Sequence, residues 1–216
     1  MPSNAISAQG CTLEIGTGTG GAKTITAISK SNPVSITSAA HGLQPGDVVT
    51  LSGIVGMVDL NGKTATVEYV TANSFTLAGV DSSGSPAYTS GGSATPVQWT
   101  QIAELKSLDG FDGSASEIDV TNLSSTAKEK RLGLMDYGGV SIDLSYVPAD
   151  AGQQALAAAQ QSGAVKQFRL KLPAGVSAPN TATWSGMVKS FSKSLGVDQV
   201  VSGKAQITIS GAVTWA

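Results

Sequence analysis

A chain of 216 residues can hold one large domain or two modest ones, and an apolar share of 41% excludes wholesale disorder. Charged residues make up only 13%, about half the usual share of roughly 25%. The net charge of −2 leaves no basic excess to neutralise phosphates, which excludes tight, sequence-independent nucleic-acid binding.

The abundant Gly, Ser and Thr suit short strands joined by turns, and a low-charge surface suits a protein that associates. The single cysteine, Cys11, has no partner for an internal disulfide. The first residues, MPSNAISAQGC, lack the basic and apolar regions of a signal peptide, and no apolar run is long enough to span a bilayer. Synthesis in the cytoplasm, in soluble form until partners are met, is therefore expected.

In chain order, the first predicted strand is Cys11–Ile15, with the glycine run Gly16–Gly21 after it, read as a flexible joint. A block from Ala22 to Ser93 then reads as short strands at Thr24–Ile28, Val34–Thr37, Val48–Leu51, Thr64–Val70 and Phe75–Leu77, punctuated by turn residues such as Pro45-Gly46 and Asn61-Gly62. It closes in Ser90-Gly91-Gly92-Ser93, a second linker-like composition, so residues 22–93 read as an inserted small β domain. The remaining segments, 1–21 and 94–216, form the interrupted domain. Its predicted strands are Val97–Leu108, a short one at Ile118 and Val120, and Val140–Tyr146 with clean alternation. One helix comes next, with Asp150 as N-cap, Gln153 completing a capping box, a narrow stripe of Ala155, Leu156 and Ala159, and Gly163 as the stop. Phe168, Leu170 and Leu172 alternate with Arg169 and Lys171. Thr183–Leu195 changes its apolar parity, which marks a bulge or a change of sheet, and Val201–Trp215 reads as one long strand.

Little in this pattern supports catalysis. Gly16, Gly18 and Gly21 fit a dinucleotide fingerprint, but the residues after them, Lys23–Ile28, are β-like rather than the helix that would hold a pyrophosphate. His41, the only histidine, sits before Gly42 in a turn with nothing tying it to Cys11. One His and one Cys cannot supply zinc's usual ligands, and Asp109-Gly-Phe-Asp112-Gly is too sparse for an EF-hand loop. No enzyme activity, metal or cofactor is expected.

The polar stretch Thr121–Asp136 has no clear strand period and carries the only charge cluster, Lys128, Glu129, Lys130 and Arg131. Ordering a dozen such residues costs on the order of 12–24 kcal/mol of backbone entropy. At about 25 cal/mol per Å² that needs several hundred Å² of new apolar burial. Leu123, Leu132, Leu134 and Met135 can supply part of it only against a partner. The stretch is thus expected to be a loop that orders on assembly, with Thr121, Asn122, Leu123, Lys128, Lys130, Arg131, Leu132, Leu134 and Met135 as candidate contacts.

The segments Trp99-Thr-Gln-Ile-Ala-Glu-Leu105, Ser116-Glu-Ile-Asp-Val-Thr-Asn-Leu123 and Asp136-Tyr-Gly-Gly-Val-Ser-Ile-Asp-Leu144 resemble the tail tube (major tail) proteins of long, non-contractile-tailed, lambda-like phages. So do Pro148-Ala-Asp150 opening a helix, Phe168–Leu172, Trp184-Ser-Gly-Met-Val188 and Ile207–Gly211, in that order, over about residues 4–21 and 94–216. The resemblance implies a mainly β fold, a sandwich or barrel with one flanking helix, and hexameric rings stacked into a tube. It also implies a virion location in the tail, contact with tape measure and tail terminator proteins, DNA passing through the lumen without specific binding, and no membrane-spanning segment. The loop at about 121–134 would join subunit or ring contacts. A lumen for sliding DNA should not carry unpaired basic side chains, so Arg169 and Lys171 are expected to face away from it or to pair with carboxylates. Within the insert, Ala40–Val49, Leu60-Asn-Gly62 and Tyr88–Gly92 are similar to a small β module of phage tail proteins and of ubiquitin-activating enzymes. The insert holds no cysteine, so no thioester chemistry is implied. Other readings are a tail-tip or capsid-decoration protein, or a glycan-binding β-sandwich.

Overall fold

The computed structural model describes residues 5–173, 175–176 and 179–216, so residues 1–4 of the expected first segment lie outside the described residues. The strands in chain order are β1 (Thr12–Thr19), β2 (Lys23–Thr24), β3 (Ala27–Ile28), β4 (Val34–Thr37), β5 (Val48–Val55), β6 (Thr64–Val70), β7 (Ser74–Leu77) and β8 (Ser90–Ile102). They continue as β9 (Leu105–Gly110), β10 (Ser114–Asp119), β11 (Lys130–Asp136), β12 (Gly139–Ser145), β13 (Lys166–Lys171), β14 (Thr181–Ser194), β15 (Ser202–Ile209) and β16 (Thr214–Trp215). Among the described residues one α-helix, α1 (Ala151–Ser162), lies between β12 and β13. The fold is mainly β and antiparallel. It divides into two compact units, Met1–Ile102 with Gln167–Thr183 and Thr214–Ala216, and Ala103–Lys166 with Trp184–Val213.

In the first unit the strands run in the order β3-β4-β7-β6-β5-β8-β1-β13, with β2 added to β8. Alternation along β4, β5 and β7 sends Val34, Ile36, Leu51, Phe75 and Leu77 into one buried apolar cluster drawn from residues 25–94. Strand β8 serves two neighbours: its first half pairs with β5, from Val55↔Ser90 to Val49↔Pro96, and its second half with β1, from Thr19↔Val97 to Leu13↔Ile102. The two glycine-rich stretches expected to be flexible joints are therefore largely strand. A Cβ on Gly92 would stand 2.7 Å from Ile54 Cγ1, and one on Gly16 2.8 Å from Val97 Cγ1. Glycine is present there so that neighbouring chain can close up, not to supply flexibility.

Arg169, on β13 directly opposite Glu14 of β1, is buried. Its Nε donates to Glu14 Oε2 at 2.6 Å and a terminal nitrogen to Asp47 Oδ1 at 2.7 Å, while the guanidinium lies 4.4 Å from the centre of the Trp99 ring. Lys171 Nζ is 3.5 Å from Glu14. Arg169 and Lys171 are thus both paired with carboxylates. Asp47 also accepts from the Gln44 N–H, so the turn before β5 is held by the same group that holds Arg169. In the same unit, the Thr66 and Thr183 hydroxyls meet at 2.7 Å in a buried contact.

In the second unit the order is β14-β15-β12-β9, with β10 and β11 forming a separate two-stranded hairpin. Val140, Ile142 and Leu144 of β12 and Ala205, Ile207 and Ile209 of β15 are buried, as alternation requires. The parity change in β14 is a register shift between Val188 and Ser190. Helix α1 starts where Asp150 Oδ1 accepts the Gln153 N–H at 2.8 Å and ends at a left-handed Gly163. The capping box is only half made. The Gln153 amide instead accepts from Val147 N–H at 2.9 Å and donates to the Ser145 and Ala103 carbonyls, so a buried glutamine staples the helix to the ends of its neighbouring strands.

Three runs expected to be continuous are broken. Thr24–Ile28 divides because β2 pairs with β8 while β3 pairs with β4. Val97–Leu108 breaks at Ala103–Glu104, where Glu104 has φ 60°, and Val201–Trp215 breaks before β16, which pairs with the start of β14. Apolar periodicity does not register a change of partner.

Candidate assembly interface

The stretch expected to be an unstructured loop is the second half of the β10–β11 hairpin. Lys130–Asp136 is strand, paired from Ser114↔Asp136 to Asp119↔Lys130 with a bulge between Ala115 and Glu117. Its base is set by Phe111, whose ring meets Trp184 edge-on with centroids 5.1 Å apart, and by Asp136 Oδ1, which accepts the Gly138 N–H at 2.9 Å.

Cross-strand partners point to the same side, which sorts the hairpin into two faces. Ala115, Glu117, Asp119, Lys130, Leu132 and Met135 share one; Ser116, Ile118, Arg131 and Gly133 share the other, and the bulge places an extra residue on β11 between Leu132 and Met135. Lys130 forms an ion pair with Glu117 diagonally across the first face. Both faces carry exposed apolar side chains: Leu132 and Met135 on one, Ile118 on the other, with Leu134 (92% exposed) in the bulge. This explains why no period was visible in the sequence. A period of two appears when only one face is buried, and here neither is.

The connection at 120–129 satisfies its own polar groups. Val120 N–H donates to the Glu129 carbonyl and Glu129 N–H to Thr121 Oγ1, both at 3.0 Å. Asp119 Oδ1 accepts the Thr121 N–H at 2.9 Å, and bonds from the Thr121 hydroxyl and N–H hold its carboxyl below the ordinary value. Asn122 accepts from Ser124 N–H at 2.9 Å and donates its own N–H to Ser125 Oγ. Leu123, at the turn, is fully exposed. Of the candidate contacts, Lys130, Arg131, Leu132, Leu134 and Met135 therefore lie on β11, and Thr121, Asn122, Leu123 and Lys128 in the connection. Two contributors went unremarked in the sequence: Glu117, which neutralises Lys130, and Asp119, which caps the turn. An Asp two residues before a Thr is the local signal that could have revealed the second.

The residues considered for chemistry lie elsewhere. His41 is buried against Phe75, its Nδ1 accepting the Leu43 N–H at 3.1 Å and its Nε2 donating to the Thr71 carbonyl at 3.0 Å. That makes it a core histidine bracing a turn. Gly16 and Gly18 lie within β1, and β2 comes after Gly21 where a dinucleotide site needs a helix. Among the described residues no group of three or more His, Cys, Asp or Glu is placed to hold a metal ion. None of their helices is long and apolar enough to cross a membrane.

The model of the lambda phage tail tube protein family matches residues 80–216, and that of the FCCH domain of ubiquitin-activating enzyme E1 matches residues 31–98. The two matches overlap on the stretch that contains the first half of β8, the strand that pairs with both β5 and β1. No curated protein matches the chain. Among solved structures it is similar to a chain from the tail of an empty gene transfer agent particle computed with helical refinement in C6 symmetry. That likeness has 20% identity and a TM-score of 0.46 and covers 55% of this chain and 87% of that one. A second similar chain comes from the virion of a native gene transfer agent particle, with 20% identity, a TM-score of 0.46, and 55% and 89% of the two chains covered. With its family model spanning more than half of its length, the chain belongs to the lambda phage tail tube protein family and is a structural subunit of such a tube.

Proposed function

We propose that copies of this chain close into hexameric rings, that the rings stack into the tube of a virion tail, and that the β10–β11 hairpin is the arm that joins them. The observation that supports the arm's role is its pair of exposed apolar faces, since a lone two-stranded hairpin is marginal in water and large exposed apolar patches mark interaction sites. Residues 1–21 and 94–216 build the tube wall. Residues 22–93 form an accessory that projects outward, because a block of that size would obstruct the lumen. DNA passes through without specific binding, tape measure and tail terminator proteins are the other contacts, and synthesis takes place in the host bacterial cytoplasm. The role is structural, with no catalysis.

The test is amide exchange on free protein and on assembled tubes. Residues 114–136 should gain strong protection on assembly while β12 and β15 change little. Equal protection of the arm in both states would refute its role.

A further inference from the structure

If the arm joins copies, it must have a seat. An arm that docked on the same arm of a second copy would make a two-fold, self-limiting contact, whereas rings and stacks need a contact between two different surfaces. The seat is therefore elsewhere on the chain. Exposed aliphatic side chains in the second unit, outside the arm, are Val147, Val165, Met187, Leu195, Val197 and Val200. Three of these, Leu195, Val197 (92% exposed) and Val200, fall in the single connection between β14 and β15. Nowhere else outside the arm do the described residues place three exposed large apolar side chains in one connection.

Charge selects the same pairing. The only charged residue in that connection is Asp198, exposed, with a left-handed backbone at φ 60° and no ion pair among the described residues. On the arm, Lys130 is already neutralised by Glu117, but Arg131 has no carboxylate partner among the described residues and shares its face with Ile118, its cross-strand partner. An apolar knob with one free carboxylate thus matches the exposed Ile118 and the free guanidinium beside it.

We propose that the Ile118/Arg131 face of the arm of one copy seats on the Leu195–Val200 connection of the next, with Arg131 paired to Asp198. This rests on the tail tube reading and names the contact that reading requires.

The direct test is cross-linking between copies in a Cys11→Ser background. Ile118→Cys and Val197→Cys proteins are each assembled alone and also co-assembled from a mixture of the two, then oxidised. A disulfide-linked dimer from the mixture, absent from either protein alone, is the expected result; tubes without that dimer would overturn the contact. Arg131→Gln and Asp198→Asn give an independent check, and Asn tolerates the left-handed backbone. Each should raise the concentration needed for tube growth by about tenfold, and the double variant by no more than either alone. Additive effects, or none, would overturn the pairing. Failure of the unmodified protein to form tubes at all would instead overturn the tail tube reading, and this contact with it.

Discussion

The block at 22–93 and the β10–β11 arm draw on the same kinds of apolar residue and put them to opposite uses. In the block, Ile36, Leu51, Phe75 and Leu77 are buried in a cluster made by the block itself and the first residue beyond it. In the arm, Ile118, Leu123, Leu132, Leu134 and Met135 face solvent on both sides of a two-stranded ribbon. The first region carries its partner within its own chain; the second must find one outside. Apolar content alone does not separate the two, but closure of the sheet does.

That contrast can be broken from either side. The largest effect is expected at Phe75→Ala, which opens a cavity in the block and should cost about 3–5 kcal/mol in a denaturant titration. A cost below about 1 kcal/mol would show that the block's cluster is not tightly packed. Arg169→Ala should come next at about 3 kcal/mol, because it leaves Glu14 and Asp47 facing each other in a largely buried site and uncovers Trp99. Asp150→Ala removes the N-cap of α1 and should cost about 1 kcal/mol. Leu134→Ser in the arm should change stability by no more than about 0.5 kcal/mol, yet abolish tube growth seen by light scattering. A large loss of stability there would mean the arm packs on its own chain.

The smallest effect is at the arm's turn. The Asp119 carboxyl is held below its ordinary value of 3.8, first by the Thr121 hydroxyl and then by the Thr121 N–H. A group whose folded value is depressed stabilises the fold above its unfolded value and loses that contribution as pH falls through the folded one. The Thr121 amide resonance should therefore titrate with a midpoint below 3.8; a midpoint at or above it would show that the turn bond is not formed in solution.

Much of the fold was legible in the sequence wherever one side of an element is buried. Val140–Tyr146 alternates because β12 is covered on one face, and α1 was bounded by Asp150 and Gly163 because helix ends need those residues. The parity change in β14 gave away its bulge. What was hidden depends on partners distant in sequence. Gly91 and Gly92 look like a linker until β5 is seen beside them, and Gln153 looks like half a capping box until the Ser145 and Ala103 carbonyls are beneath it. The arm stood out by its leucines and its charge cluster, but its strand character was masked because both faces are apolar. The connection at 195–201 was invisible as a surface, since Leu195 reads as the last core residue of a strand and is in fact exposed.

The most direct test of the arm's role in assembly is electron microscopy of the protein beside a variant whose residues 114–136 are replaced by a short Gly-Ser turn. The intact chain should form tubes with six-fold end views, and the variant should stay a folded monomer with an unchanged melting temperature. Tubes from the variant would contradict the assignment of assembly to the arm.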